Sequence, residues 1–232
     1  MSTIFLIRHG QASFGADEYD VLSELGAAQS RELGRYWARR QFAIDACYRG
    51  PRRRHADTAA SFVAGAGEAG FSYPEPTTLD GLDEYPAIEL LKRWLPRLTA
   101  EHPEIASAFG AGASKRQFEQ GFRLVIDKWS RGELETGDLE TFEQFQGRVR
   151  NALDHIMITE GRKKRVAVFT SGGPIAMAMQ RALELSSEIA LRTAWVVANG
   201  SINEFRYRDP GEFTLVRFNA IPHLQDRLIS YR

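Results

Sequence analysis

The chain has 232 residues, 43% hydrophobic and 26% charged, which is ordinary for a soluble globular protein and excludes a disordered, collagenous or disulfide-built chain. Lys plus Arg and Asp plus Glu number 30 each, so no global field draws the chain to nucleic acid or to an anionic membrane surface. The lone cysteine, Cys47, excludes an internal disulfide and a thiolate-cluster metal site, and its apolar setting reads as a buried thiol. No stretch approaches the roughly 20 apolar residues of a membrane span, and Met1 to Ile7 lacks the basic start of a secretory signal. A cytoplasmic protein is expected.

Thr3 to Ile7 is apolar after its first residue, the pattern of a strand covered on both faces, and it breaks at Arg8-His9-Gly10. Ser23 is a suitable N-cap for a helix to about Arg40, with Leu25, Ala28, Leu33, Tyr36 and Trp37 on one face. A second strand follows at Ala46 to Tyr48. Gly50-Pro51 then turns the chain into a helix toward Val63, and Thr77 to Leu79 supplies a third strand. From Pro86 to about Gly137 amphipathic stretches, Ile88 to Leu98 and Gln117 to Trp129, are separated by Pro103 and Gly110-Ala111-Gly112.

A helix from about Thr141 to Thr159 carries Phe142, Phe145, Val149, Leu153 and Ile156 on one stripe. The strand Val166 to Thr170 leads through Ser171-Gly172-Gly173-Pro174 into a helix at Ile175 to Leu185. Val196 and Val197 are expected to start another strand. Ile202 to Tyr207 and Phe213 to Phe218 alternate around Asp209-Pro210-Gly211 as an antiparallel hairpin. The alternation of strands and helices predicts an α/β fold with parallel strands.

Ligands bind beyond the carboxyl ends of strands in open α/β sheets, and both Arg8-His9-Gly10 and Ser171-Gly172-Gly173 occupy such ends. Neutral histidine is nucleophilic near pH 7, arginine grips phosphate oxygens bidentately, and Gly10 is expected to let the backbone approach an anion. On composition alone, Arg8 and His9 are equally a polar strand end, and Arg52, Arg53 and Arg54 a solvated helix face.

Ile4-Phe5-Leu6-Ile7-Arg8-His9-Gly10-Gln11 resembles the opening signature of the histidine phosphatase (phosphoglycerate mutase-like) superfamily. Leu22-Ser23 with Gly26 and Gln29 is similar to that family's next segment, and Pro51, Arg54, Thr58 and Ala59 to its proline, arginine and threonine-alanine helix start. Leu82-Asp83-Glu84 resembles the segment with the acidic proton donor, and Arg148-Val149 a part of the helix before the penultimate motif. The resemblance implies a three-layer α/β/α sandwich, mostly parallel with an antiparallel edge. One domain, 1–232, would carry a helical cap insertion at about 86–137 over the pocket.

It also implies roles. His9 would form a phosphohistidine, Arg8 and Arg54 would hold the phosphoryl oxygens, and Glu84, or alternatively Asp83, would protonate the leaving alkoxide. Ser171, Gly172 and Gly10 would complete the phosphate site, with the α-helix amino terminus after Ser171 open to the anion. The departure is Ser171, where the family usually has histidine. A hydroxyl donates one hydrogen bond without charge, a loss on the order of 1–2 kcal/mol and roughly tenfold in rate. His55, beside Arg54, and His223, in a tail segment resembling the family's, are candidates to compensate.

The expected activity is metal-independent, cofactor-free hydrolysis of a small phosphorylated metabolite, with no nucleic-acid or membrane partner. The rival readings are a phosphate-ligand binding or regulatory protein, and a phosphoglycerate mutase. The mutase branch usually continues with tryptophan and asparagine where this chain has Ala12, Ser13 and Phe14. Tyr85, Trp94, Arg116 and Arg123 are candidate ligand contacts in the 86–137 region or beside it; neither the substrate nor the oligomeric state is written in the sequence.

Overall fold

Thr3 to Ile7 forms the centre of strand β1 (Ser2–Arg8), and Ile4, Phe5, Leu6 and Ile7 are all buried, as a strand covered on both faces requires. The structure, a computed structural model, describes residues 1–12, 20–101 and 115–231. Ser13, Phe14, Pro103 and Gly110-Ala111-Gly112 therefore lie outside the described residues. Ser23 caps helix α1 (Glu24–Ala38) by accepting a hydrogen bond from the Gly26 amide. Strand β2 (Ala46–Arg49) precedes α2 (Arg53–Glu68) and the short β3 (Thr77–Thr78). Three helices follow: α3 (Ala87–Glu101), α4 (Lys115–Ser130) and α5 (Phe142–Glu160). Strand β4 (Arg165–Thr170) runs into α6 (Gly172–Leu183) and α7 (Ser187–Ala194), and the hairpin β5 (Ile202–Tyr207) and β6 (Phe213–Ala220) completes the sheet.

The strand order is β3-β2-β4-β1-β5-β6, parallel from β3 to β1 and antiparallel across β5 and β6. On one face Phe5, Ile7, Cys47, Ala167 and Phe169 pack against Leu33 and Trp37 of α1 and Ala59, Phe62 and Ala66 of α2. Burial pushes the Cys47 thiol up to about 12. On the other face Ile4, Leu6, Val166 and Val168 are buried, α6 packs against β1 and β6, and Arg181 of α6 pairs with Asp154 of α5. These are the three layers that the resemblance implied.

The strand expected at Val196 and Val197 is not formed. Ser186 instead caps α7, and residues 195–201 are turns and irregular chain. Both sides of β1 are already taken, by β4 and β5. The backbone here is satisfied by a side chain: Asn219 accepts from the Ala198 amide and donates to the Val196 carbonyl, each at 2.7 Å.

The described chain divides into two compact units, Met1–Glu84 with Arg148–Arg232, and Tyr85–Gly147. In the second, Tyr85 stacks on Trp129 at 5.2 Å, and Phe142 meets Trp129 edge-on at 5.2 Å. Tyr85 and Trp94 are buried within this unit, Arg123 is exposed, and the side chain of Arg116 lies outside the described ones. No helix among the described residues is long and apolar enough to cross a membrane.

Phe62 is completely buried, stacks on Tyr73 at 4.7 Å and touches Trp37 and Phe169. Phe62→Ala should therefore cost about 3–5 kcal/mol, read as a lowered urea midpoint at unchanged slope. A loss under about 1 kcal/mol would mean that the face repacks.

Candidate active site

Pairing registers bring distant residues together before any side chain acts. Arg8 is opposite Thr170, and Phe169 is opposite Arg49, so β1, β4 and β2 end side by side. The next residues, His9, Ser171 and Gly50, therefore start neighbouring loops at the carboxyl edge of the sheet. The seam continues past the strands: the His9 amide donates to the Thr170 carbonyl at 2.8 Å, and the Gly50 amide to the Phe169 carbonyl at 3.0 Å.

His9 is buried, and its Nδ1 lies 2.7 Å from the Gly10 carbonyl oxygen. A carbonyl only accepts, so Nδ1 holds the proton of the neutral ring and Nε2 keeps its lone pair. Burial, followed by the charges of Arg54 and Arg8, holds the His9 pKa well below its ordinary value. The neutral ring, with its lone pair on Nε2, is thus the resting form.

Gly10 is also required by packing. Its amide donates to Thr58 Oγ1 at 3.1 Å, and a Cβ there would lie 2.3 Å from the Gly26 carbonyl oxygen. The glycine lets the loop cross α1; its amide is already engaged by α2. Behind the loop, Asn199 donates to the His9 carbonyl at 3.2 Å, Ser230 donates to Asn199, and Gln29 donates to Ser230 and to the Leu228 carbonyl. This network fixes the backbone of His9.

Arg54 is buried at the start of α2, with Nη1 2.8 Å from Asp20 Oδ1 and Nη2 3.4 Å from Ser171 Oγ. Asp20 also accepts from the Arg53 amide at 2.9 Å, capping a helix whose own N-cap residue, Arg52, makes no side-chain cap. Asp20 carries no local signal in the sequence and was not anticipated. Arg8 donates to the carbonyls of Val197 and Tyr231 while its charge still acts on His9. Ser171 occupies the N-cap of α6 without capping it; its hydroxyl faces His55, whose Nε2 is 2.7 Å from Oγ.

The α6 amino terminus is capped from outside. The Gly173 amide donates to both carboxylate oxygens of Glu84, at 3.1 and 3.2 Å. Asp83 is turned the other way: its carboxylate pairs with Arg52 and accepts from the Glu84 amide at 2.7 Å. Arg148 donates to the carbonyls of Gly81, Asp83 and Glu84, and Thr170 Oγ1 to the Leu82 carbonyl, so the whole segment is pinned. Of the two acids left open by sequence, Glu84 is the one aimed at the loop after β4.

His223 is buried against Gly200 and the Tyr36 ring, and neither ring nitrogen makes a well-aligned hydrogen bond among the described residues. His55, and not His223, is therefore the histidine beside Ser171. Among the described residues no group of three or more His, Cys, Asp or Glu is placed to hold a metal ion.

The family model of the histidine phosphatase superfamily (branch 1) matches residues 4–221. The chain belongs to that superfamily. Solved structures agree in fold. A phosphoserine phosphatase mutant from Entamoeba histolytica, in complex with phosphoserine, is 18% identical with a TM-score of 0.65, covering 97% of this chain and 100% of that one. Mycobacterial glucosyl-3-phosphoglycerate phosphatase is 20% identical with a TM-score of 0.63, covering 94% of this chain and 98% of that one. A phosphoglycerate mutase from Bacillus anthracis is 17% identical with a TM-score of 0.64, covering 96% of this chain and 94% of that one. No curated protein matches in sequence. This superfamily member thus has a histidine at the end of β1 and a serine-histidine contact at the end of β4.

His9, His55 and His223 all have pKa values depressed by burial, His223 to about 4. The unfolded chain therefore takes up protons first as pH falls below about 6.5. Stability is full above that value and declines toward pH 4. The denaturant midpoint should fall across that window, and fall less steeply in His223→Leu; a flat profile would contradict the buried neutral rings.

Proposed function

We propose that the chain is a phosphohydrolase that acts on a small phosphomonoester through a phosphohistidine at His9. The observation that carries the reading is the fixed tautomer of a buried, neutral His9, with Nε2 left as the lone-pair nitrogen beside two guanidinium groups. Membership of the superfamily supports it, and structural neighbours named as phosphatases of phosphoserine and of glucosyl-3-phosphoglycerate support the substrate class.

In the first step His9 Nε2 forms the bond to phosphorus as the ester P–O bond breaks, and Glu84 gives its proton to the leaving oxygen. A phosphate anion beside a carboxyl group favours its protonated form, and an anion arriving at the start of α6 competes with Glu84 for the Gly173 amide. Arg54 and Arg8 offset charge on the equatorial oxygens, and Ser171 and the Gly172 amide contribute neutral donors. In the second step water attacks phosphorus, the N–P bond breaks, and Glu84 takes the water proton. Every group drawn is a side chain or amide of this chain, so the reaction as written needs no metal.

His9→Ala should lower hydrolysis of p-nitrophenyl phosphate at least about a thousandfold without added metal, and abolish an acid-labile phosphoryl label on the protein. Wild type that binds vanadate but turns over no ester would instead make the chain a phosphate-ligand binding protein. Glu84→Gln should slow alkyl phosphomonoesters by about 10²–10⁴-fold and p-nitrophenyl phosphate far less, because p-nitrophenolate leaves without a proton. Asp83→Asn should show no such leaving-group dependence; if it does, the acid has been misassigned.

A further inference from the structure

His55 and Ser171 are both completely buried, and each spends its side chain on the other at 2.7 Å. Burying an imidazole costs free energy that an apolar residue on α2 would avoid. Space has been made for it: a Cβ on Gly50 would lie 2.3 Å from His55 Nδ1. The ring centre is 5.9 Å from that of His9, and Arg54 reaches the same hydroxyl. A residue kept at that cost, facing the nucleophile, calls for a role.

We infer that His55 is a positioning residue that holds the Ser171 hydroxyl toward the phosphoryl group on His9, so that the two act as one hydrogen-bonding unit. The inference rests on the phosphohydrolase reading. Nδ1 of His55 lies against Gly50, whose backbone draws the ring's pKa upward, but it makes no well-aligned hydrogen bond there among the described residues. A buried N–H left without an acceptor is the costlier omission, so the proton of the neutral ring belongs on Nε2, which donates to Ser171 Oγ. The hydroxyl proton is then available to a phosphoryl oxygen, and a hydroxyl that already accepts a hydrogen bond donates more strongly. Burial, followed by the charges of Arg54, Arg52 and Arg49, keeps the ring neutral, so the unit supplies a directed dipole and no third cation. Because the hydroxyl is aimed at the equatorial oxygens of the group while it passes between nitrogen and oxygen, the effect falls on kcat more than on KM.

The test is a double-mutant cycle on p-nitrophenyl phosphate hydrolysis and, with the same proteins, on vanadate affinity. Ser171→Ala and His55→Leu should each lower kcat roughly three- to tenfold, with KM little changed. The double variant should be no worse than the poorer single variant. His55→Gln, whose amide N–H falls near the place of Nε2, should recover most of the loss, and it carries the test if His55→Leu does not fold. Unchanged kcat and vanadate affinity in His55→Leu, losses that multiply in the double variant, or no recovery in His55→Gln would overturn the pairing. Wild type that binds vanadate without turnover would sink the phosphohydrolase reading alone, and vanadate affinity across the cycle would then decide the pairing. Wild type that neither binds vanadate nor turns over ester would overturn both.

Discussion

Parallel pairing of β1 with β4, in the register that sets Arg8 beside Thr170, is the constraint on which the site depends. A slip of one residue would turn Phe5 and Ile7 out of the face packed on α1 and α2, and would part His9 from Ser171. The hydrophobic pattern of the strands and the chemistry at their ends are therefore fixed by one choice. Burial of the apolar faces stabilises the register, and the register brings His9, the Ser171 hydroxyl and, through β2, the Gly50 turn and α2 to one edge.

The electrostatics follow from what that edge collects. Arg8 and Arg54 lie near a buried imidazole, which stays neutral because burial and their charges both oppose a proton there. Carboxylates balance the donors: Asp20 on Arg54 and the Arg53 amide, Glu84 on the Gly173 amide. Arg8, Arg54 and the Gly173 amide each already contact an oxygen, which lowers the cost of burying the two cations.

How much of this could be read from the sequence depended on range. His9 sits where an apolar run breaks into charge within one residue, and the resemblance of the surrounding segments to the superfamily singled it out and narrowed the acid to Glu84 or Asp83. The sheet's parallel half and its antiparallel edge followed from periodicity. Other features need contacts between segments far apart in the chain. Asp20 meets the start of α2 although α1 and β2 separate them in the chain, and a side chain at Gly10 would strike the backbone of Gly26. The irregular chain after α7 was misread because two adjacent valines resemble a strand, whereas Asn219, at the end of β6, satisfies the Val196 carbonyl and the Ala198 amide. The contact of His55 with Ser171 joins α2 to the end of β4, and no spacing rule links them.

The ion pair of Arg54 with Asp20 has a consequence for selectivity. In the proposed reaction a phosphate oxygen that takes Arg54 Nη1 would exchange with a carboxylate already in place, so what would count is the difference between two anions on one guanidinium. A group with one diffuse negative charge gains little by that exchange. A doubly charged group with oxygens spaced to bridge two guanidinium nitrogens gains more, because it brings charge the carboxylate lacks. Under the proposed function Asp20 would act as a built-in reference ligand, a threshold against which weak anions compete poorly.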